Sequence, residues 1–298
     1  MKLGLRIEVA TLRGTREAVP RLMAMLREHR AGATFLFNLG PDRTGRAIGS
    51  LPRVSRVRCY GLSLLSGTLL PAADVGSRCA DAMRAVRGDG HEAGILAYDW
   101  ADWTRHVADA GEAWTAAMMR RARERYEEIF QTPALTHGAP GWRMNRYAYR
   151  YTQRLGFRQS SDTRGTGPFI PVIRGEIVAC PQLPTTLPTL DEVLAGRTAL
   201  DAAVARLLEA SHNPPPTGHV YALRAEVEGT LFAPALRALL DGWRAQGHQP
   251  VSLREYAAGL DLTRLPRRVV NAESRAGARG LVAVQGKEFL ANSATGDR

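Results

Sequence analysis

The sequence predicts an α/β protein whose parallel strands close into a single barrel. Three observations lead there. Short apolar runs of strand length alternate with amphipathic segments long enough to be helices, the pattern of βαβ units. Roughly seven such units follow one another, which favours a closed barrel over an open doubly wound sheet. No glycine-rich nucleotide fingerprint follows the first strand, which weakens a dinucleotide-binding fold. With 298 residues, 45% of them hydrophobic, the chain can build one large core and is expected to form one domain over residues 1–298.

The elements follow in order. Leu3, Leu5, Ile7 and Val9 alternate with other residues and read as a strand. Residues 15–30 then place Val19, Leu22, Met23 and Leu26 on one helical face. A second strand over 33–39 ends at Gly40-Pro41. Residues 77–87 read as a helix, followed by a Gly88-Asp89-Gly90 turn and a strand over 92–98. One long helix is predicted over 107–131, with Trp114, Met118, Ala122 and Tyr126 in register. Further strands are expected near Leu135, at 157–161, 177–180, 220–223 and 249–252, with helices over 145–155, 190–211 and 234–246. Residues 211–218 carry Pro214-Pro215-Pro216 and read as a stiff connector. The segment from Leu265 onward has weak periodicity and is expected to wrap the barrel and end in a frayed tail.

Residues 43–75 interrupt the alternation as an insertion. Arg53, Arg56 and Arg58 precede an apolar, glycine-broken stretch over 60–70, a combination suited either to an ordinary packed loop or to an anionic membrane surface. The formal net charge is +11, and lysine occurs only at Lys2 and Lys287. So strong an arginine bias reads as a compositional habit rather than a polyanion site, and no nucleic-acid-reading motif is present. Cys59, Cys79 and Cys180 are odd in number and scattered, which fits a reducing compartment and gives neither a disulfide framework nor a thiolate metal site. The N-terminus does not read as a signal peptide, so the protein is expected to be cytoplasmic.

In barrels of parallel strands, functional groups sit at the strands' C-terminal ends, and Glu8, Leu96, Asp162 and Arg224 fall there. The blocks GLRIEVATLRGTREAVPRL (4–22), HEAGILAYDWADW (91–103), APGWR (139–143), SDTRGTGPF (161–169), LPTTLPTLDEV (183–193) and YALRAEVEG (221–229) span nearly the whole chain. Together they resemble the polysaccharide deacetylase family, and within it the deformylases that act on formamido-arabinose attached to undecaprenyl phosphate. The resemblance implies a distorted (β/α)7 barrel and metal-dependent amide hydrolysis.

It also assigns roles, and several positions fail them. The family's first motif has two aspartates, a general base and a metal ligand, which here fall on Glu8 and Ala10. The second motif's two histidines fall on Leu96 and Trp100, with Asp99 kept between them. The histidine that would protonate the leaving amine falls on Arg224. An alkyl stub, a branched alkyl and an indole cannot ligate a divalent metal, and arginine does not exchange a proton near neutral pH. Arg143, which would steady the base, and Asp162, which would orient the acid, are both retained. They are expected to form ion pairs, Arg143 with Glu8 and Asp162 with Arg224, converting the catalytic cleft to a structural network.

The metal site is therefore expected to be lost, with Trp100 filling its space, and no cofactor is implied. A relocated site at Asp99, Asp102 and His106 was weighed against exposed polar residues at a helix start, and the second is preferred. Asp99, Trp103 and Trp142 are candidates for sugar binding, while His91 and His137 read as strand-entry and loop residues. The function expected is that of a pseudoenzyme in a lipid-linked amino-sugar pathway; the alternative is an amide hydrolase with a non-standard, metal-free mechanism. Candidate partners are a lipid-linked sugar or amino sugar, an active deformylase or deacetylase paralogue, and an anionic surface at the inner membrane.

Overall fold

The computed structural model describes residues 1–53, 55–274 and 280–290. Eleven strands are defined: β1 (Lys2–Val9), β2 (Thr34–Asn38), β3 (Glu92–Ala97), β4 (Thr136–His137), β5 (Gln159–Ser160), β6 (Ile170–Ile173), β7 (Glu176–Ile177), β8 (His219–Arg224), β9 (Gln249–Val251), β10 (Arg267–Ser274) and β11 (Leu281–Glu288). Eleven α-helices accompany them: α1 (Val19–Glu28), α2 (Arg56–Tyr60), α3 (Val75–Gly88), α4 (Trp100–His106), α5 (Glu112–Phe130), α6 (Arg146–Arg154), α7 (Leu190–Leu194), α8 (Leu200–Ser211), α9 (Ala225–Glu228), α10 (Ala233–Ala245) and α11 (Leu253–Ala257).

The main sheet has seven strands in the order β5-β4-β3-β2-β1-β8, with β9 beside the start of β1, and all its pairings are parallel. It curls into a barrel that regular strands do not close. Residues 181–187 fill the gap: Leu183 N donates to Ser160 O at 2.7 Å, and Thr186 N donates to Val220 O at 3.0 Å. The architecture is a distorted (β/α) barrel, the fold class expected from the sequence.

Strand β1 shows how the sequence builds both layers. Leu3, Leu5, Ile7 and Val9 are all fully buried in the core, while Arg6 and Glu8 lie on the opposite parity, as alternation along a strand requires. Arg6 is fully buried too. A Cβ on Gly138 would come within 3.1 Å of Arg6 Nε and 2.3 Å of Leu36, so glycine there leaves room for both side chains.

Four expectations need correction. The predicted helix over 107–131 starts later, as α5 at Glu112, because the chain is non-helical up to its N-cap Gly111; a separate helix, α4, ends before it at His106. The helix over 190–211 is two helices, α7 and α8. The strand expected at 177–180 is not in the barrel: β7 pairs antiparallel with β6 in a separate four-stranded sheet, ordered β11-β10-β6-β7. The segment after Leu265 is not a loose wrap but an antiparallel pair, β10 with β11, whose Val282 and Val284 pack with Trp142 and Ala222. The tail expected to fray, 291–298, lies outside the described residues.

Candidate active site

A narrow cleft of about 50 Å3 opens at the C-terminal ends of the barrel strands. Glu8, Ala10, Leu96, Trp100, Arg143 and Arg224, six positions singled out from the sequence, all line it. The insertion contributes Leu51, Pro52 and Tyr60 to the same wall, and the segments after 188 and 224 contribute Asp191 and Glu226.

The expected ion pairs have other partners. Glu8 Oε1 accepts from Arg6 Nη1 at 2.7 Å and from the Gly141 amide at 3.3 Å, and Oε2 faces Arg224 Nη1 at 3.7 Å. Arg6 occupies the role predicted for Arg143 because residues two apart on a strand share a face. Arg6 also donates to Ala139 O at 2.6 Å and lies 5.4 Å from the Trp142 ring centroid. Arg143 donates instead to the Thr104 carbonyl. Burial, and then the repulsion of Arg224, lowers the pKa of Arg143. For Arg224 burial pulls the same way, but Glu8 and Asp191 outweigh it and the pKa is raised.

Asp162 pairs not with Arg224 but with His137, which is not the loop residue expected but the second residue of β4. His137 Nδ1 donates to Asp162 Oδ1 at 2.8 Å, since an ionised carboxylate can only accept. The Ala139 amide donates to the same oxygen at 2.7 Å and Gln182 Nε2 to Oδ2 at 3.2 Å. Burial would raise the Asp162 pKa, yet His137 and these hydrogen bonds together bring it below the ordinary value. The cause of the mismatch is distance in sequence: β4 and β5 are two-residue strands whose pairing local periodicity does not reveal.

The three sugar-binding candidates fare differently. Asp99 caps α4 by accepting from the Asp102 amide at 3.0 Å, and its other oxygen accepts from Arg43 at 2.8 Å. Burial raises its pKa against both. Trp103 is 2% exposed, packs on Trp114 and donates from its indole to Arg143 O at 2.8 Å, so it belongs to the core behind the cleft. Trp142 does line the cleft, with φ at +56°, a left-handed conformation that strains a bulky side chain. Its indole donates to Thr185 at 3.0 Å, and the Arg6 and Arg164 guanidinium carbons lie 5.4 and 4.7 Å from its ring centroid.

Glu226 and Glu228, on α9 directly after β8, are carboxylates that the sequence reading passed over; a charged residue in a short buried helix was the available signal. Glu226 Oε1 accepts from Ala10 N at 3.0 Å and from Thr11 N and Thr11 Oγ1 at 2.9 Å each. Burial raises the pKa of both; Glu228, with Asp191 adding to the effect, is pushed up to about 8.

The donor set does not suit the divalent metal that the resemblance implies. At the ligand positions Ala10 and Leu96 offer carbon, Trp100 offers an N–H donor, and Glu8 is engaged by two arginines. The relocated alternative does not assemble either: Asp99 is held by Arg43 and the helix cap, leaving only Asp102 and His106 near each other at 3.5 Å. Among the described residues no group of three or more His, Cys, Asp or Glu side chains is placed to hold a metal.

A curled parallel barrel with these blocks at its mouth defines a protein of the polysaccharide deacetylase class. A protein from Mycobacterium smegmatis assigned to that class superimposes with a TM-score of 0.63 at 15% identity, covering 92% of this chain and 95% of that one. A family 4 carbohydrate esterase pseudoenzyme from Bacillus anthracis gives 0.53 at 13% identity, covering 86% and 64% of the two chains. No protein-family model matches the chain. Among curated proteins, a probable 4-deoxy-4-formamido-L-arabinose-phosphoundecaprenol deformylase of Shewanella sediminis is 33% identical over 259 residues, 80% of each chain. The counterpart from Wigglesworthia glossinidia brevipalpis is 26% identical over 288 residues, 92% of this chain and 99% of its own. The chain belongs to this deformylase family.

Proposed function

We propose that the chain is a catalytically degenerate deformylase that binds a lipid-linked amino sugar without hydrolysing it. One observation carries the proposal: the positions that should supply the metal ligands and the acid line a single cleft as Ala10, Leu96, Trp100 and Arg224. Amide hydrolysis by this route needs a Lewis acid and a group able to protonate the leaving amine. Arginine cannot serve as that acid, and Glu8 would have to leave Arg6 and Arg224 to act as a base. The relatives' name supplies the ligand class, a formamido-arabinose on undecaprenyl phosphate. The Bacillus anthracis pseudoenzyme, a mutant of which has restored enzymatic activity, is a precedent on this fold.

The ligand's lipid anchor fits the insertion. Val57, Leu62 and Leu69 are 73, 73 and 81% exposed there; the exposed Arg46 and Arg53 precede them in sequence and the exposed Arg58 follows Val57. Apolar side chains flanked by cations suit an anionic lipid surface. Co-sedimentation with vesicles containing phosphatidylglycerol is expected, and not with phosphatidylcholine alone. Leu62→Asp/Leu69→Asp should abolish it; equal sedimentation of the variant would refute the contact.

The enzymatic half is tested by assaying formate release from a formamido-arabinose substrate with zinc, cobalt or manganese supplied. No turnover is expected from the natural chain. Ala10→Asp, Leu96→His, Trp100→His and Arg224→His together should introduce metal-dependent release. Turnover by the natural chain would overturn the proposal.

A further inference from the structure

Two residues lining the cleft each carry a buried polar atom that no protein group satisfies among the described residues: Glu226 Oε2 and Trp100 Nε1. Their residues are 1% and 4% exposed, and both line the cleft at the place where the metal ligands have gone. Buried polar atoms are nearly always hydrogen-bonded, and leaving one unmade costs on the order of 1–3 kcal/mol. Glu226 cannot rotate its free oxygen elsewhere, because Oε1 is fixed by Ala10 N, Thr11 N and Thr11 Oγ1. Trp100 is fixed from its backbone, where its amide donates to Asn38 Oδ1 at 2.9 Å.

The two atoms specify what they receive. An indole N–H only donates, so its partner must accept. A carboxyl oxygen accepts when ionised and donates when protonated, so its partner must be able to do either. A hydroxyl group does both, and an amide offers one of each. A divalent cation fits the carboxylate but not the indole. An anion fits the indole and Arg224 but meets Glu8, Asp191, Glu192 and Glu226 around the same wall. The remaining lining, Ala10, Leu51, Leu96 and Pro140, offers apolar surface for the C–H face of a ring.

We propose that the former metal position is now a subsite for an uncharged hydroxyl- or amide-bearing sugar, with Trp100 Nε1 and Glu226 Oε2 as its specificity-determining contacts. This rests on the binding role proposed above and names the atoms that perform it. The burial-raised pKa of Glu226 is compatible with it, because a hydroxyl partners either protonation state. Trp100 thus does more than fill a vacated space.

The test is binding of free 4-deoxy-4-formamido-L-arabinose, with L-arabinose and inorganic phosphate in parallel, to the full chain treated with chelator. Saturation-transfer NMR and titration calorimetry give the affinity; change in tryptophan fluorescence reports the site. Both sugars are expected to bind and phosphate not to. Trp100→Phe keeps the ring volume and removes only the N–H, and should weaken sugar binding roughly tenfold, the worth of one buried hydrogen bond. Glu226→Gln keeps the oxygen that holds Ala10 and Thr11 but fixes the other position as a donor, which a hydroxyl can accept, so sugar binding should persist; its complete loss would overturn the hydroxyl assignment. A folded Trp100→Phe protein that binds as tightly as the natural one would overturn the subsite, and so would a natural chain that binds neither sugar. Either result leaves the loss of catalysis standing, since that falls only to metal-dependent turnover.

Discussion

On the β4–β5 side of the barrel mouth, Asp162 accepts from His137, the Ala139 amide and Gln182 inside a fully buried network. On the β1–β3 side, Ala10, Leu96 and Trp100 put mostly carbon on the cleft wall. The contrast follows from what each side chain does for the fold. Carbon at these positions needs no partner, and the cleft-lining polar atoms left without a protein partner among the described residues are Trp100 Nε1 and Glu226 Oε2. Asp162 cannot be removed without penalty, because three donors depend on it. Between the two sides stands Glu8 on β1, held by Arg6 of its own strand and by Arg224 of β8.

The largest test of this contrast is Asp162→Ala. It should destabilise the protein by about 3–5 kcal/mol in urea denaturation, because His137, the Ala139 amide and Gln182 would lose their buried acceptor together. A loss below about 1 kcal/mol, typical of a surface site, would erase the distinction between the two sides.

A smaller effect concerns pH. Glu228 has a folded-state pKa of about 8 against an ordinary 4.5. The folded protein therefore holds a proton that the unfolded chain has released. The stability this contributes is full below about 4.5 and is lost as pH rises to 8. His219 works in the opposite sense at lower pH. Burial and then His248 depress its pKa to about 4 from 6.5, so its contribution is lost as pH falls through that range. Between pH 6.5 and 8 the Glu228 slope is free of His219, and stability should fall by about 2 kcal/mol. Glu228→Gln should flatten that slope; an unchanged slope would show that another group titrates there.

Much of the barrel was legible in the sequence because its long strands and helices repeat. Leu3 to Val9 announce β1, and Val19, Leu22 and Leu26 announce α1. The two-residue strands β4 and β5 carry no period to detect. In β10, Arg267-Arg268-Val269-Val270 breaks the alternation that would have revealed the hairpin. At the site, the motif positions Glu8, Ala10, Leu96, Trp100, Arg143 and Arg224 do meet in one cleft. Their pairing was less legible, since the expected partners followed the family's roles while the observed ones follow strand parity and burial. Arg6 could have been found from parity alone, being two residues from Glu8 on the same strand face.

The central claim, that the cleft has exchanged metal ligation for apolar filling and ion pairs, is most directly tested by zinc titration calorimetry of the chelator-treated natural chain beside the four-fold restored variant. The natural chain should show no site tighter than about 1 mM, the level of stray carboxylate contacts, while the variant gains one stoichiometric site. One stoichiometric, tightly held zinc per natural chain would contradict the account.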